Sequence, residues 1–285
     1  MKAVSLISIG STRHIDFIRN RLDDEFKLLQ AEGVQVNLME KASGDYTFLG
    51  CDFESQKTSS SSNYSSVFKH YVAKVISEVV IGKWEENLVR GMVKNKYHYF
   101  TENERKNILS RALDLLKQND NIQRKNKILL KTVDYLENHD DLIVDGFITF
   151  RLKEYLSDLE DVVDQAVEDY LMEKEYSEFI SLLRYFVEIQ DPRVEKVHVL
   201  LNDGNQNAIS NEYLEGYVID LSDGEINYED LLISALITIA PRKIILHATK
   251  YYQTKNTIAT IQNVFGDRVS LCQGCPKCNN LIFER

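Results

Sequence analysis

The sequence predicts an α/β (α+β) chain: a large central helical layer with a small mixed or parallel sheet formed by the N- and C-terminal segments. Three observations carry this expectation. Residues 67–190 contain no proline and only three glycines, and their apolar side chains recur at intervals of three and four. Residues 1–55 and 194–285 instead mix apolar runs and alternating stretches with short helical patterns. From Tyr217 to Cys272 the pattern reads strand, helix, strand, helix, strand, the order of parallel neighbours joined by right-handed crossovers.

Composition sets the class. The chain has 285 residues, 44% apolar and 27% charged, and 34 basic against 44 acidic side chains give a net charge of −10. At roughly 150 residues per domain that length suggests about two domains with a substantial core. Only 12 glycines and 3 prolines exclude collagen-like and broadly disordered readings. No apolar stretch reaches the roughly 18–20 residues of a membrane span, and the short apolar run after Met1 reads as a strand rather than a signal peptide. A pI near 5.2 argues against general affinity for nucleic acid or anionic membrane. Four cysteines are too sparse for a disulfide scaffold, so the expected location is cytoplasmic.

Residues 1–55 read as a βαββ segment: a strand at Ala3–Ile9, a helix from Ser11 or Thr12 with Ile15, Ile18, Leu22, Phe26 and Leu29 on one stripe, and strands at Val34–Met39 and Tyr46–Phe53. So short a segment buries little core alone and is expected to pack on the rest of the chain, its strands joining the C-terminal ones. Residues 56–66, with four consecutive serines, read as a linker that trypsin should open at Lys57. The helical region 67–190 should begin with one long helix over Val67–Lys94. Thr101 followed by Glu104 is a capping-box pattern ahead of Ile108, Leu109 and Ala112. A further helix carries Ile128, Val133 and Leu136, a polar break falls at Asn138–Asp141, and helices follow over Phe147–Glu173 and Phe179–Ile189. Residues 65–131 hold 14 Lys and Arg against 7 Asp and Glu, whereas residues 132–190 hold 4 against 16. The expected arrangement is oppositely charged helices side by side, with a basic face for an acidic partner as the alternative. Pro192 marks the boundary to a ββαβαβ unit over 194–285.

The most specific chemical signal is Cys272-Gln273-Gly274-Cys275-Pro276-Lys277-Cys278. Two residues between cysteines let a tight turn present both thiolates to one tetrahedral zinc ion, and Gly274 and Pro276 are turn formers. Three thiolates need a fourth ligand. His247 ends one strand and Cys272 the next, so a parallel βαβ unit brings both to one carboxyl edge. Cys51 is the alternative fourth ligand. An iron–sulfur cluster, a redox thiol pair and ordinary thiols on a terminal loop stay open as competing readings.

Other polar groups carry weaker signals. Gly10-Ser11-Thr12-Arg13-His14 lies between a strand and a helix N-terminus, where an anion can bind, but it lacks the spaced glycines of a nucleotide loop and reads as an ordinary cap. Asp220, Asp223 and Glu225 read as a solvated turn, and His198 as a satisfied sheet histidine. No nucleophile elbow, phosphate loop or paired-histidine helix is present in the sequence.

The run Ile143-Val144-Asp145-Gly146-Phe147-Ile148-Thr149-Phe150-Arg151-Leu152, the Tyr185-Phe186 helix leading into Val197-His198-Val199, and the segments Pro241–His247 and Cys272–Cys278 together resemble the YtxC-like sporulation proteins of spore-forming bacteria. The resemblance implies a cytoplasmic, sporulation-associated protein and transfers no catalytic residues. Two functions are therefore weighed. The favoured one is a noncatalytic protein whose helical layer binds a protein partner and whose C-terminal unit is pinned by its cysteine loop. The alternative is an enzyme or metal-dependent protein with its site where His247, Lys250 and the cysteine loop converge.

Overall fold

The computed structural model describes residues 4–31, 35–54, 61–119, 121–201, 208–210, 217–218, 228–248 and 255–275. They fall into two compact units, Met1–Leu171 and Met172–Arg285. The α/β class stands, and the strands form two sheets rather than one, with orders β2-β3-β1-β4 and β7-β6-β5-β8-β9.

In the first unit β1 (Val4–Ser11) leads into α1 (Ile15–Ala31), and β2 (Gln35–Ser43) and β3 (Tyr46–Glu54) form a hairpin. β3 runs antiparallel to both β1 and β2. Gly10 lies under the Phe48 ring: a Cβ there would sit 2.6 Å from Cε1, so glycine is what lets the ring close over β1. The edge of β1 is taken by β4 (Asp141–Ile143), a parallel strand that starts at the last residue of the segment read as a polar break, with Ile9 opposite Leu142. The N-terminal strands therefore do not join the C-terminal sheet.

Helices cover this sheet. α2 (Ser61–Val79) passes through a π turn (Val80–Trp84) into α3 (Glu85–Lys96), replacing the single expected helix. Residues 61–66, read as linker, already belong to α2, and Lys57 lies outside the described residues. α4 (Glu102–Gln118) opens on the capping box expected at Thr101 and Glu104. α5 (Asn121–Asn138) and α6 (Val144–Arg151) follow. α7 (Lys153–Ile189) starts after a break at Leu152 and runs on where two helices were expected, so the division between units falls within α7 rather than at Pro192. One apolar cluster joins Ile7, Ile9 and Leu49 of the sheet, Ile18 and Leu22 of α1, Val72 and Ile76 of α2, and Leu159 and Val163 of α7. Residues of the 1–55 segment thus share their core with the helical layer.

The charge division resolves into pairs. Lys96 meets Asp164 at 2.7 Å, Lys127 meets Asp158 at 2.6 Å and Lys131 lies 3.8 Å from Glu154, each joining the basic segment to α7. A buried network ties three helices: Arg124 Nε donates to Glu85 Oε2 at 3.2 Å, and the Tyr155 hydroxyl donates to the same oxygen at 3.0 Å.

In the second unit, residues 172–189 of α7 accompany β5 (Val194–Leu201), β6 (Ala208–Ser210), β7 (Tyr217–Val218), α8 (Tyr228–Ile239), β8 (Pro241–Ala248), α9 (Lys255–Phe265), a 3-10 turn (Gly266–Arg268) and β9 (Val269–Leu271). β8 and β9 are parallel neighbours, as the crossover pattern requires, but the other neighbour of β8 is β5 and not the Tyr217 strand, which lies at the sheet edge beyond β6, an antiparallel strand absent from the sequence reading. Val197, Val199, Ile244 and Leu246 of the sheet pack with Leu236 of α8, Ile261 and Val264 of α9 and Val187 of α7. Arg268 fastens the end of α9 by donating to the carbonyls of Val187 at 2.9 Å and Pro241 at 3.2 Å.

Candidate functional site

Strand alternation builds the site. Ile244 and Leu246 of β8 are fully buried in the core of the second unit, so Ile245 and His247 occupy the opposite face. On β5 the core residues are Val197, Val199 and Leu201, which leaves His198 and Leu200 on that same opposite face. The register pairs His198 with Ile245 and Leu200 with His247, placing the two histidines on a diagonal across neighbouring strands. On the other side Leu246 pairs with Leu271 of β9, so the next residue, Cys272, comes alongside His247. The Cys272 amide secures this by donating to the Leu246 carbonyl at 2.9 Å.

After Cys272 the chain turns back through Gly274, whose φ of +124° is open to glycine and rarely to other residues. The turn delivers Cys275 Sγ to 3.4 Å from His247 Nδ1, while His247 Nε2 lies 2.8 Å from His198 Nδ1. Both nitrogens of a 2%-exposed imidazole are thus engaged. One ligand atom each from His247, Cys272 and Cys275 falls within a 4.8 Å span. Two sulfurs and a nitrogen are soft donors suited to a tetrahedral metal. The order thiol, imidazole, imidazole also has the form of a nucleophile, a base and an orienting group.

Cys51 sits on β3, fully buried in the core of the first unit, and burial first, then Asp52 and Asp23, push its thiol up to about 12. That environment favours the thiol over the thiolate a metal requires. Cys278, Lys250, Asp220, Asp223 and Glu225 lie outside the described residues. The Ser11–His14 loop has its own carboxylate: Asp145 Oδ2 accepts from the Thr12 amide at 3.0 Å and the Ser11 hydroxyl at 3.2 Å. His198, read from sequence as a satisfied sheet histidine, is satisfied by His247 itself. The alternation that put His247 on the face opposite the core would have put His198 there too, but the strand pairing was needed to bring them together.

A second feature belongs to α7. Met172, Phe179, Leu182, Tyr185, Phe186 and Ile189 are exposed, while Ile180 and Val187 are buried. Between α7, α8 and α9 lies a groove of about 770 Å³ lined by Tyr176, Phe179, Leu183, Ile233 and Ile237 among others, closed on one side by a 2.9 Å hydrogen bond between Tyr176 and Thr260. No helix among the described residues is long and apolar enough to cross a membrane.

No solved structure matches the chain. "Uncharacterized protein YtxC" of Bacillus subtilis (strain 168) is 34% identical over 116 residues, 38% of this chain and 40% of that protein. The chain therefore matches less than half the length of that relative. The profile of the YtxC-like family matches residues 70–270, a span that holds His198 and His247 and stops two residues short of Cys272. With well over half of its length matched, the chain belongs to the YtxC-like family.

Proposed function

We propose that the chain is a noncatalytic, cytoplasmic protein of the sporulation programme that works by holding a protein partner against α7. The observation that carries this reading is the C-terminal part of α7, from Met172 to Ile189, whose apolar side chains extend well beyond its core face: Ile180 and Val187 face the core, and Phe179, Leu182, Tyr185 and Ile189 are exposed. Exposed aromatic and aliphatic groups clustered on one helix gain from being covered, and the polar side chains of Glu173, Arg184 and Glu188 leave one face for solvent. The adjoining groove offers side-chain-sized depth for an apolar helix or strand of the partner. Sporulation is the context that the family resemblance suggests.

The test replaces Leu182 and Tyr185 together by Asp in a spore-forming host. Both are more than half exposed, so the thermal midpoint of the purified variant should stay within about 2 °C of the parent. Spore yield should fall by an order of magnitude, and Leu130→Asp, an exposed apolar site of the first unit, should leave it unchanged. Normal yield from the double variant refutes the reading. The alternative, an enzyme at the carboxyl edge of β8, is favoured by the Cys275, His247, His198 sequence of contacts and would instead be lost on Cys275→Ala with α7 intact.

A further inference from the structure

We infer that Cys272 Sγ, Cys275 Sγ and His247 Nδ1 bind one zinc ion, that Cys278 completes the tetrahedron, and that His198 is the positioning residue that orients His247. The inference is independent of the α7 reading. Zinc with sulfur at about 2.3 Å and imidazole nitrogen at about 2.0 Å holds sulfur and nitrogen about 3.5 Å apart and two sulfurs about 3.8 Å apart. Cys275 Sγ and His247 Nδ1 are already at 3.4 Å, and the widest separation in the group is within 4.8 Å. Closing the set on an ion therefore asks for movements of about 1 Å, within reach of a χ1 adjustment in half-exposed cysteines.

The second nitrogen of His247 agrees with this assignment. With the Nδ1 lone pair on zinc, the ring proton must sit on Nε2, and Nε2 lies 2.8 Å from His198 Nδ1. His198 then accepts through Nδ1 and carries its own proton on Nε2. This is the outer-shell arrangement that fixes the tautomer and ring orientation of a metal-bound histidine. A nucleophilic pair needs one sulfur beside the imidazole, whereas here the sheet register brings a second, Cys272, and the sequence places a third three residues beyond Cys275. Cys278 enters through that spacing alone. An iron–sulfur cluster fits less well, because such clusters usually take four cysteines and the fourth donor held here is an imidazole. On binding, each thiol releases its proton to solvent and the ion loses water.

The experiment uses the full chain, purified anaerobically under reducing conditions, stripped with chelator and titrated with cobalt(II) and then zinc(II). One equivalent of cobalt should bind, with thiolate-to-cobalt charge-transfer absorption and the strong visible bands of a tetrahedral ion, and zinc should displace it. Cys275→Ser and His247→Ala should abolish these bands, Cys278→Ser should weaken binding at least tenfold, and Cys51→Ser should change nothing. His198→Phe should weaken zinc by about 10–100-fold with the stoichiometry still one. His198→Asn, whose side-chain oxygen can accept from Nε2, should recover most of that loss. A measurement without any substitution runs in parallel: zinc should protect three of the four cysteines from alkylation. Absence of charge-transfer bands in the parent chain, or alkylation of Cys275 that zinc does not slow, overturns the site. Equal affinity in His198→Phe overturns the role of His198, and unaltered affinity in Cys278→Ser overturns the fourth ligand.

Discussion

Replacing Arg124 by Met should unfold the first unit far more easily, although it exchanges a charge for an apolar group at a nearly buried site. The Arg124 and Glu85 side chains are each 11% exposed. Arg124 donates to both Glu85 oxygens, at 3.2 and 3.5 Å, and to the Leu116 carbonyl at 3.0 Å. Removing it strands the Glu85 carboxylate with Tyr155 as its remaining partner in that network and leaves the Leu116 carbonyl without this donor. Breaking one side of a buried pair costs about 3–5 kcal/mol, because the other charge stays desolvated. Trp84, the chain's one tryptophan, adjoins Glu85 and is 6% exposed, so its fluorescence reports unfolding at the site. With a urea dependence of about 2–3 kcal/mol/M, the midpoint should drop by roughly 1–2.5 M. Adding Glu85→Leu should restore more than half of the loss, since two apolar neighbours can replace a buried ion pair at little net cost. A midpoint change in Arg124→Met below about 0.3 M, or simple additivity in the double variant, would refute the view that desolvation of Glu85 dominates.

Two further outcomes follow from the first unit. Burial works against ionisation of Glu78, but hydrogen bonds from Lys125, at 2.8 Å, and from Arg21 outweigh it and hold the carboxyl below the ordinary glutamate range. Its stabilisation is therefore fully present above the unfolded value of about 4.3 and lost as pH falls through the lower folded value, so Glu78→Gln should flatten the decline in urea midpoint between about pH 5 and 3. Thr101→Ala removes the oxygen that accepts from the Glu104 amide at the start of α4; it should cost about 1 kcal/mol by urea unfolding, and Thr101→Ser should restore it.

What the sequence disclosed about the fold depended on how local each signal was. The capping box at Thr101 is written in four consecutive residues, and α4 begins there. The strand Asp141–Ile143 left no trace, because three residues are too few for alternation to show and it forms only by pairing with β1, more than 130 positions earlier. The serines of 61–66 have poor helix propensity, yet they extend α2, whose later turns bury Phe68, Val72 and Ile76. Tertiary burial outweighed composition there. The same holds in α7, where no proline or glycine marks a stop between Glu173 and Phe179 and the helix continues.

The candidate site was legible to the extent that parallel-sheet geometry is periodic. Two strand ends joined by one crossover helix fix His247 and Cys272 on one edge, and the observed register supplies the remaining condition, that both occupy the same face. That condition is strict. β9 contributes three residues, and a slip of one position would turn Cys272 toward the core face shared by Ile244 and Leu246 and bring its neighbour out instead. Here the register is held from outside the strand. Arg268 anchors the residue before β9 to the carbonyls of Pro241 and Val187, and the Cys272 amide closes on Leu246 at the other end. His198 shows the limit of this reasoning. Its position on the face opposite the core follows from alternation in β5, but its role depends on β5 lying beside β8, a pairing between segments separated by α8 and two short strands. A histidine flanked by valines is an ordinary sheet residue until the neighbouring strand brings a second imidazole to its Nδ1, and the sheet order therefore decides what His198 is for.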